Sequence, residues 1–114
     1  MDTRPELKVE ITRPSRDHAV VVLEGELNIF TTSLLNAVFL RSIDEGASRV
    51  LVDLGKVTVI DSTGLGALVS CAKRLLGADG ALDVVCPNES IRRLLEASGL
   101  DRILGVYPSC HETL

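Results

Sequence analysis

Three short apolar runs, HAVVVLEG, RVLVDL and ALDVVC, each give way to a stretch with helical spacing. Runs of this length, rich in valine and leucine and bounded by turn signals, read as strands. Strands that alternate with helices imply a mostly parallel sheet, because parallel neighbours need a crossover between them. The first strand differs. LKVEIT, from Leu7 to Thr12, alternates with Leu7, Val9 and Ile11 on one face, and only RPSRD separates it from HAVVVLEG. That spacing predicts a hairpin with an antiparallel edge strand. RVLVDL has the pattern of a central strand covered on both faces. KVTVI prolongs it as extended chain into Asp61.

The helices follow from periodicity and punctuation. Leu35, Val38, Phe39, Ser42 and Ile43 form an i, i+3, i+4, i+7, i+8 stripe, with Thr31, Thr32 or Ser33 as cap and Gly46 as stop. Leu34, Ala37 and Leu40 add apolar surface outside it. A second helix spans Thr63 to Leu76, with Leu65, Leu68, Val69, Ala72, Leu75 and Leu76 inward and Gly77 at C′. In the third, PNESIRRLLEASGL, Asn88 or Ser90 is the cap and Ile91, Leu94 and Leu95 point inward; Ser98-Gly99-Leu100 resembles a Schellman ending. RILGVYP reads as a fifth strand. Ser109 and Glu112 stand at capping-box spacing, so a last helix is expected to begin there. The predicted order is β-β-α-β-α-β-α-β-α: one α/β domain over residues 1–114, with a mostly parallel five-stranded sheet and an antiparallel edge strand.

Composition removes several function classes. The formal net charge is −4 with no basic run, which disfavours nucleic acid as a partner. The apolar stretches are too short to span a bilayer, and MDTRPELKVE lacks a signal-peptide profile, so a cytoplasmic location is expected. The three cysteines, Cys71, Cys86 and Cys110, show no CxxC spacing, so neither a disulfide framework nor a structural metal site is expected. No GxxxxGK[ST], GxGxxG or GxSxG string occurs, so no nucleotide cofactor or nucleophile elbow is indicated. The histidines are His18, near a turn, and His111, in the tail, and both read as solvated. A serine without a base is a poor nucleophile at neutral pH, so the chain does not read as an enzyme.

The segment VIDSTGLGALVSCAKRLLG places an acid, two hydroxyls and two glycines where a strand hands over to a helix. Ser62 is in position to cap that helix, with Asp61 favoured by the helix dipole. Gly64 and Gly66 each cost helix stability, which points either to close packing on a strand or to a bare surface for a partner. A phosphate on Ser62 is expected to be tolerated by the fold, at a helix N-terminus, and to act on a partner instead.

DSTGLGALVSCAKRL resembles the phosphoacceptor motif of the STAS-domain anti-sigma factor antagonists of bacteria. LEGELN is similar to the family's GELD turn, VLVDLGKVTVIDS to its approach to the site, and IRRLLEASGLDRIL to its third helix and following strand. The resemblance covers nearly the whole chain. It implies a binding protein that takes up an anti-sigma factor of serine-kinase type and so frees a sigma factor. It further implies that the kinase phosphorylates Ser62, which ends the complex, and that a phosphatase reverses this. Asp61, Thr63, Gly64, Leu65, Gly66, Glu26 and Asn28 then form the partner-binding surface. Asn28 stands where the family has an acid. Two alternatives remain open at this point: a STAS module that senses a nucleotide-like ligand inside a larger assembly, and a redox switch through Cys71 and Cys110.

Overall fold

Every strand of the sheet lies beside its neighbour in sequence. The computed structural model describes residues 7–109, in which β1 (Leu7–Ser15), β2 (His18–Leu27), β3 (Arg49–Ile60), β4 (Ala81–Val85) and β5 (Gly105–Tyr107) occur in that spatial order. β1 and β2 are antiparallel and the other pairs are parallel. The helices are α1 (Thr32–Asp44), α2 (Ser62–Gly77) and α3 (Glu89–Ala97). The mixed sheet with its antiparallel edge is as the sequence predicts.

Strand order decides where the helices go. Each crossover steps one strand in the same direction, and crossovers of one hand then place all three helices on the same face. β3 reports this directly. Val50, Val52 and Leu54 are buried, while Leu51 and Asp53, which point the other way, are half-buried. The expectation that RVLVDL is covered on both faces is therefore corrected. Its continuous apolar run fills the core on one side and leaves Val20, Val22, Leu51 and Asp83 on a half-exposed sheet face among the described residues. The core is a single cluster in which Leu23, Leu27, Leu35, Leu54, Leu68, Leu75, Leu82 and Leu95 are fully enclosed.

Several element ends differ from the sequence reading. α1 starts after Thr31, whose side chain does not cap it. The Thr31 hydroxyl is buried and donates instead to the Glu26 carbonyl at 2.7 Å. Gly77 is the last residue of α2 and not its C′ residue. Asp79, at φ +60°, takes the left-handed position, and the amide of Gly80 donates back to the Leu75 carbonyl at 2.7 Å. Asn88 caps α3, accepting from the Ile91 amide. Gly99 follows α3 at φ +77°, as the Schellman pattern requires. Leu76 and Leu94, read as inward, are 48% and 39% exposed. The fifth strand is shorter than expected: Leu100–Arg102 is a 3-10 turn and only Gly105–Tyr107 pairs with β4. Leu100 and Leu104 are both buried, and the amides of Ile103 and Leu104 each donate to the Leu100 carbonyl at 3.0 Å, so the chain closes a turn here instead of pairing with β4. The helix expected after Ser109 lies outside the described residues.

Candidate functional site

The end of β2, the loop after it and the junction of β3 with α2 meet at one edge of the sheet. Leu27 pairs with Ile60, and the amide of Asp61 donates to the Leu27 carbonyl at 3.0 Å. The chain then turns directly into α2. Its N-cap is Asp61, which is a correction: Ser62 is the first helical residue and not the cap. One oxygen of Asp61, Oδ1, accepts from the amides of Thr63 and Gly64, each at 3.0 Å, and from the Thr63 hydroxyl at 2.6 Å. The Thr63 hydroxyl above all, followed by the Gly64 amide, holds the Asp61 carboxyl below its ordinary value. The amide of Ile29, in the preceding loop, also favours the charged form.

This arrangement separates the two hydroxyls. Thr63 is committed to Asp61. Ser62 is exposed, and its hydroxyl makes no hydrogen bond with the described residues. Asp61 already takes two of the helix N–H groups that a phosphate at this helix start would otherwise use.

The two glycines have different reasons to be there. A Cβ on Gly64 would lie 2.9 Å from Leu27 Cβ and 3.0 Å from both Ile60 Cγ1 and the Leu27 carbonyl. Gly64 is buried and lets α2 seat against β2 and β3. A Cβ on Gly66 would meet nothing within 4 Å. Gly66 is exposed one turn beyond Ser62, on the same side of the helix. Leu65 is partly buried against the core.

Asn28 and Glu26 lie next to this edge. Asn28 builds the loop: its side-chain oxygen accepts from the Phe30 amide at 2.9 Å, and its carbonyl accepts from the amides of Thr31 and Thr32. An aspartate would make the same turn, so the amide keeps the geometry and removes a charge. Glu26 pairs in register with Val59. The turn so formed leaves Ile29 67% and Phe30 74% exposed, with Val59 47% exposed close by. Sequence reasoning passed over these three. The signal was present in NIF: two large apolar residues in a loop, where burial is not available.

Other candidates fall elsewhere. His18 is at the far end of β2 from Leu27, and a ten-residue strand spans about 30 Å, so it is no base for Ser62. Cys71, on α2, is only 4% exposed, and burial pushes its thiol up to about 12. That is the state of an inert core thiol. Cys110, its suggested redox partner, lies outside the described residues. Among the described residues no cluster of metal-ligating side chains occurs, and no helix is long and apolar enough to cross a membrane.

The comparisons with known proteins bear on the family and the fold. A family model for the STAS domain matches residues 9–113. An anti-sigma-B factor antagonist of Staphylococcus epidermidis is 36% identical over 90 residues, covering 79% of this chain and 83% of its own. One from Staphylococcus aureus is 33% identical over 100 residues, covering 88% and 92%. These relatives are named for antagonism and not for a catalysed reaction. The crystal structure of an anti-sigma factor antagonist from Mycobacterium paratuberculosis superposes with a TM-score of 0.84 at 22% identity, covering 94% of this chain and 90% of that one. SpoIIAA in its unphosphorylated form gives 0.79 at 19%, covering 93% and 92%. At such identities the two structures speak for the fold alone. With the family model spanning nearly the whole chain and relatives above 30% identity, the protein belongs to the STAS domain family, among the anti-sigma factor antagonists.

Proposed function

We infer that this chain binds an anti-sigma factor of serine-kinase type, that this frees a sigma factor, and that phosphorylation of Ser62 ends the complex. The observation that carries the reading is the state of Ser62. Its hydroxyl is exposed and uncommitted at a helix start, while the residue next to it is bonded. Around it lies what a partner needs: the apolar side chains of Ile29, Phe30 and Val59, and the bare backbone at Gly66.

The electrostatics favour an off-switch. A phosphate adds about −1.5 to −2 charge at neutral pH. Asp61 already occupies the Thr63 and Gly64 amides, so the new charge stands beside a carboxylate and turns outward. One unit charge opposite a like charge on a partner, at about 4 Å near a surface, costs up to about 4 kcal/mol. At 1.4 kcal/mol per decade, that is nearly a thousandfold in affinity. The fold itself keeps its cap, so the modified domain stays folded and simply loses its mate. A phosphatase that removes the group restores binding.

The test is a comparison of wild type with Ser62→Ala and Ser62→Asp, each mixed with candidate anti-sigma kinases and ATP. The alanine form binds and is not modified, and the aspartate form binds weakly. Equal binding by all three rejects the switch.

A further inference from the structure

The geometry points to Asp61 as the residue that decides which of two adjacent hydroxyls receives the phosphoryl group: it holds Thr63 and leaves Ser62. The inference rests on the phosphorylation reading above and adds its specificity. Ser62 and Thr63 are neighbours, both exposed and both near the same helix start. A kinase that reaches one is within a residue of the other. Their chemistry is nearly the same, so accessibility alone does not select between them.

Their bonding does. The Thr63 hydroxyl donates to Asp61 Oδ1 at 2.6 Å, a short bond to a charged acceptor. The same oxygen takes the Thr63 and Gly64 amides, so it is fixed by three donors and cannot swing away without uncapping α2. Thr63 is thereby pinned in one rotamer. An ATP γ-phosphate approaching Thr63 Oγ1 must come up beside the Asp61 negative charge and displace this bond. Asp61 gives nothing back as a base, since its carboxyl is held below the usual range. Ser62 stands beside the same carboxylate but has no such bond to displace. Its oxygen forms the bond to the γ-phosphorus of ATP. The bond from that phosphorus to the β,γ-bridging oxygen breaks, its electron pair leaves with ADP, and the hydroxyl proton passes to a basic group of the kinase. Asp61 is a positioning residue here and takes no part in the transfer.

The experiment uses the kinase captured in the binding test, with ATP, and maps phosphate on residues 62 and 63 by fragment mass spectrometry. In wild type, Ser62 is favoured by about tenfold or more, the scale of a hydrogen bond to a charged group. Asp61→Ala frees Thr63 and brings the two sites to comparable levels. Asp61→Asn keeps an acceptor and a cap, and so keeps the preference for Ser62. Ser62→Ala is modified at most about a tenth as fast as wild type, and adding Asp61→Ala to it raises phosphate on Thr63. A purely structural role for Asp61 changes the total rate and not this ratio. Equal phosphate on both residues in wild type, or an unchanged ratio in Asp61→Ala, overturns the assignment and leaves the Ser62 switch standing. No phosphate on either residue of wild type overturns both. A second measurement needs no kinase: three-bond NMR couplings give a single Thr63 χ1 rotamer in wild type and averaged couplings in Asp61→Ala. Averaged couplings in wild type overturn the proposal.

Discussion

Alanine at Gly64 and alanine at Gly66 are the same chemical change two residues apart, and the structure gives them opposite signs. At Gly64 the new methyl meets Leu27 Cβ at 2.9 Å, Ile60 Cγ1 at 3.0 Å and the Leu27 carbonyl oxygen at 3.0 Å. The carbonyl is main chain and Leu27 Cβ is rigidly attached to it, so α2 must lift away from the sheet. Overpacking costs about 1–3 kcal/mol, and with main chain in the way the cost here is about 2–3 kcal/mol, of which the better helix propensity of alanine returns at most about 1 kcal/mol. The net loss is about 1–2 kcal/mol. At Gly66 nothing lies within 4 Å, and only the propensity gain of about 0.5–1 kcal/mol remains. For a domain of this size, about 4 °C of Tm corresponds to 1 kcal/mol. Gly64→Ala therefore lowers Tm by about 4–8 °C and Gly66→Ala raises it by about 2–4 °C. Urea titration at constant m-value, beside a thermal melt, measures both. Gly64→Ala as stable as wild type, or Gly66→Ala less stable, refutes the reasoning. Because Gly66→Ala keeps the fold while adding a methyl on the Ser62 side of α2, its binding assay reports the surface alone.

Phe30→Ala leaves Tm nearly unchanged, since the ring is 74% exposed, and weakens partner binding by more than about tenfold if Phe30 anchors the interface, as buried aromatics do in complexes; unchanged affinity removes Phe30 from that surface. Asn28→Asp keeps the turn to the Phe30 amide and so keeps Tm, and by the family resemblance it speeds Ser62 phosphorylation; a rate at or below wild type shows that the acid plays no part in recognition. Two aspartates titrate with opposite effect on stability. Asp61 is depressed below 3.8 by Thr63 and Gly64, so its contribution is present above pH 3.8 and is lost as pH falls through the lower folded value; Asp61→Asn flattens that acid limb in melts from about pH 2 to about pH 5. Asp83 is raised above 3.8 by burial on the sheet face, with Arg49 partly offsetting it, so stability falls as pH rises from 3.8 through the raised folded value; Asp83→Asn is at least as stable as wild type at neutral pH, and a clear loss of Tm there contradicts this.

Local pattern carried most of the fold. Alternation in Leu7–Thr12, the apolar runs of β2, β3 and β4, and the stripe from Leu35 to Ile43 depend on spacing within a few residues, which the chain states outright. The site's place at a strand-to-helix junction was legible for the same reason, since DSTGLG follows a strand and precedes a periodic segment. Errors arose where a remote element competed with the local preference. Ser62 and Asp61 are equally good caps on paper, and the choice fell to Asp61 because its amide is held by Leu27, across the sheet.

The sequence by itself determined a mixed α/β sheet, the order of its elements and a hydroxyl pair at the start of α2. Only the tertiary structure decided that all three helices share one face, that Gly64 is packed while Gly66 is bare, and that Asp61 engages one hydroxyl and not the other. Periodicity is a property of neighbours along the chain. Contact between Leu27 and Gly64, thirty-seven residues apart, exists only once β2, β3 and α2 are assembled.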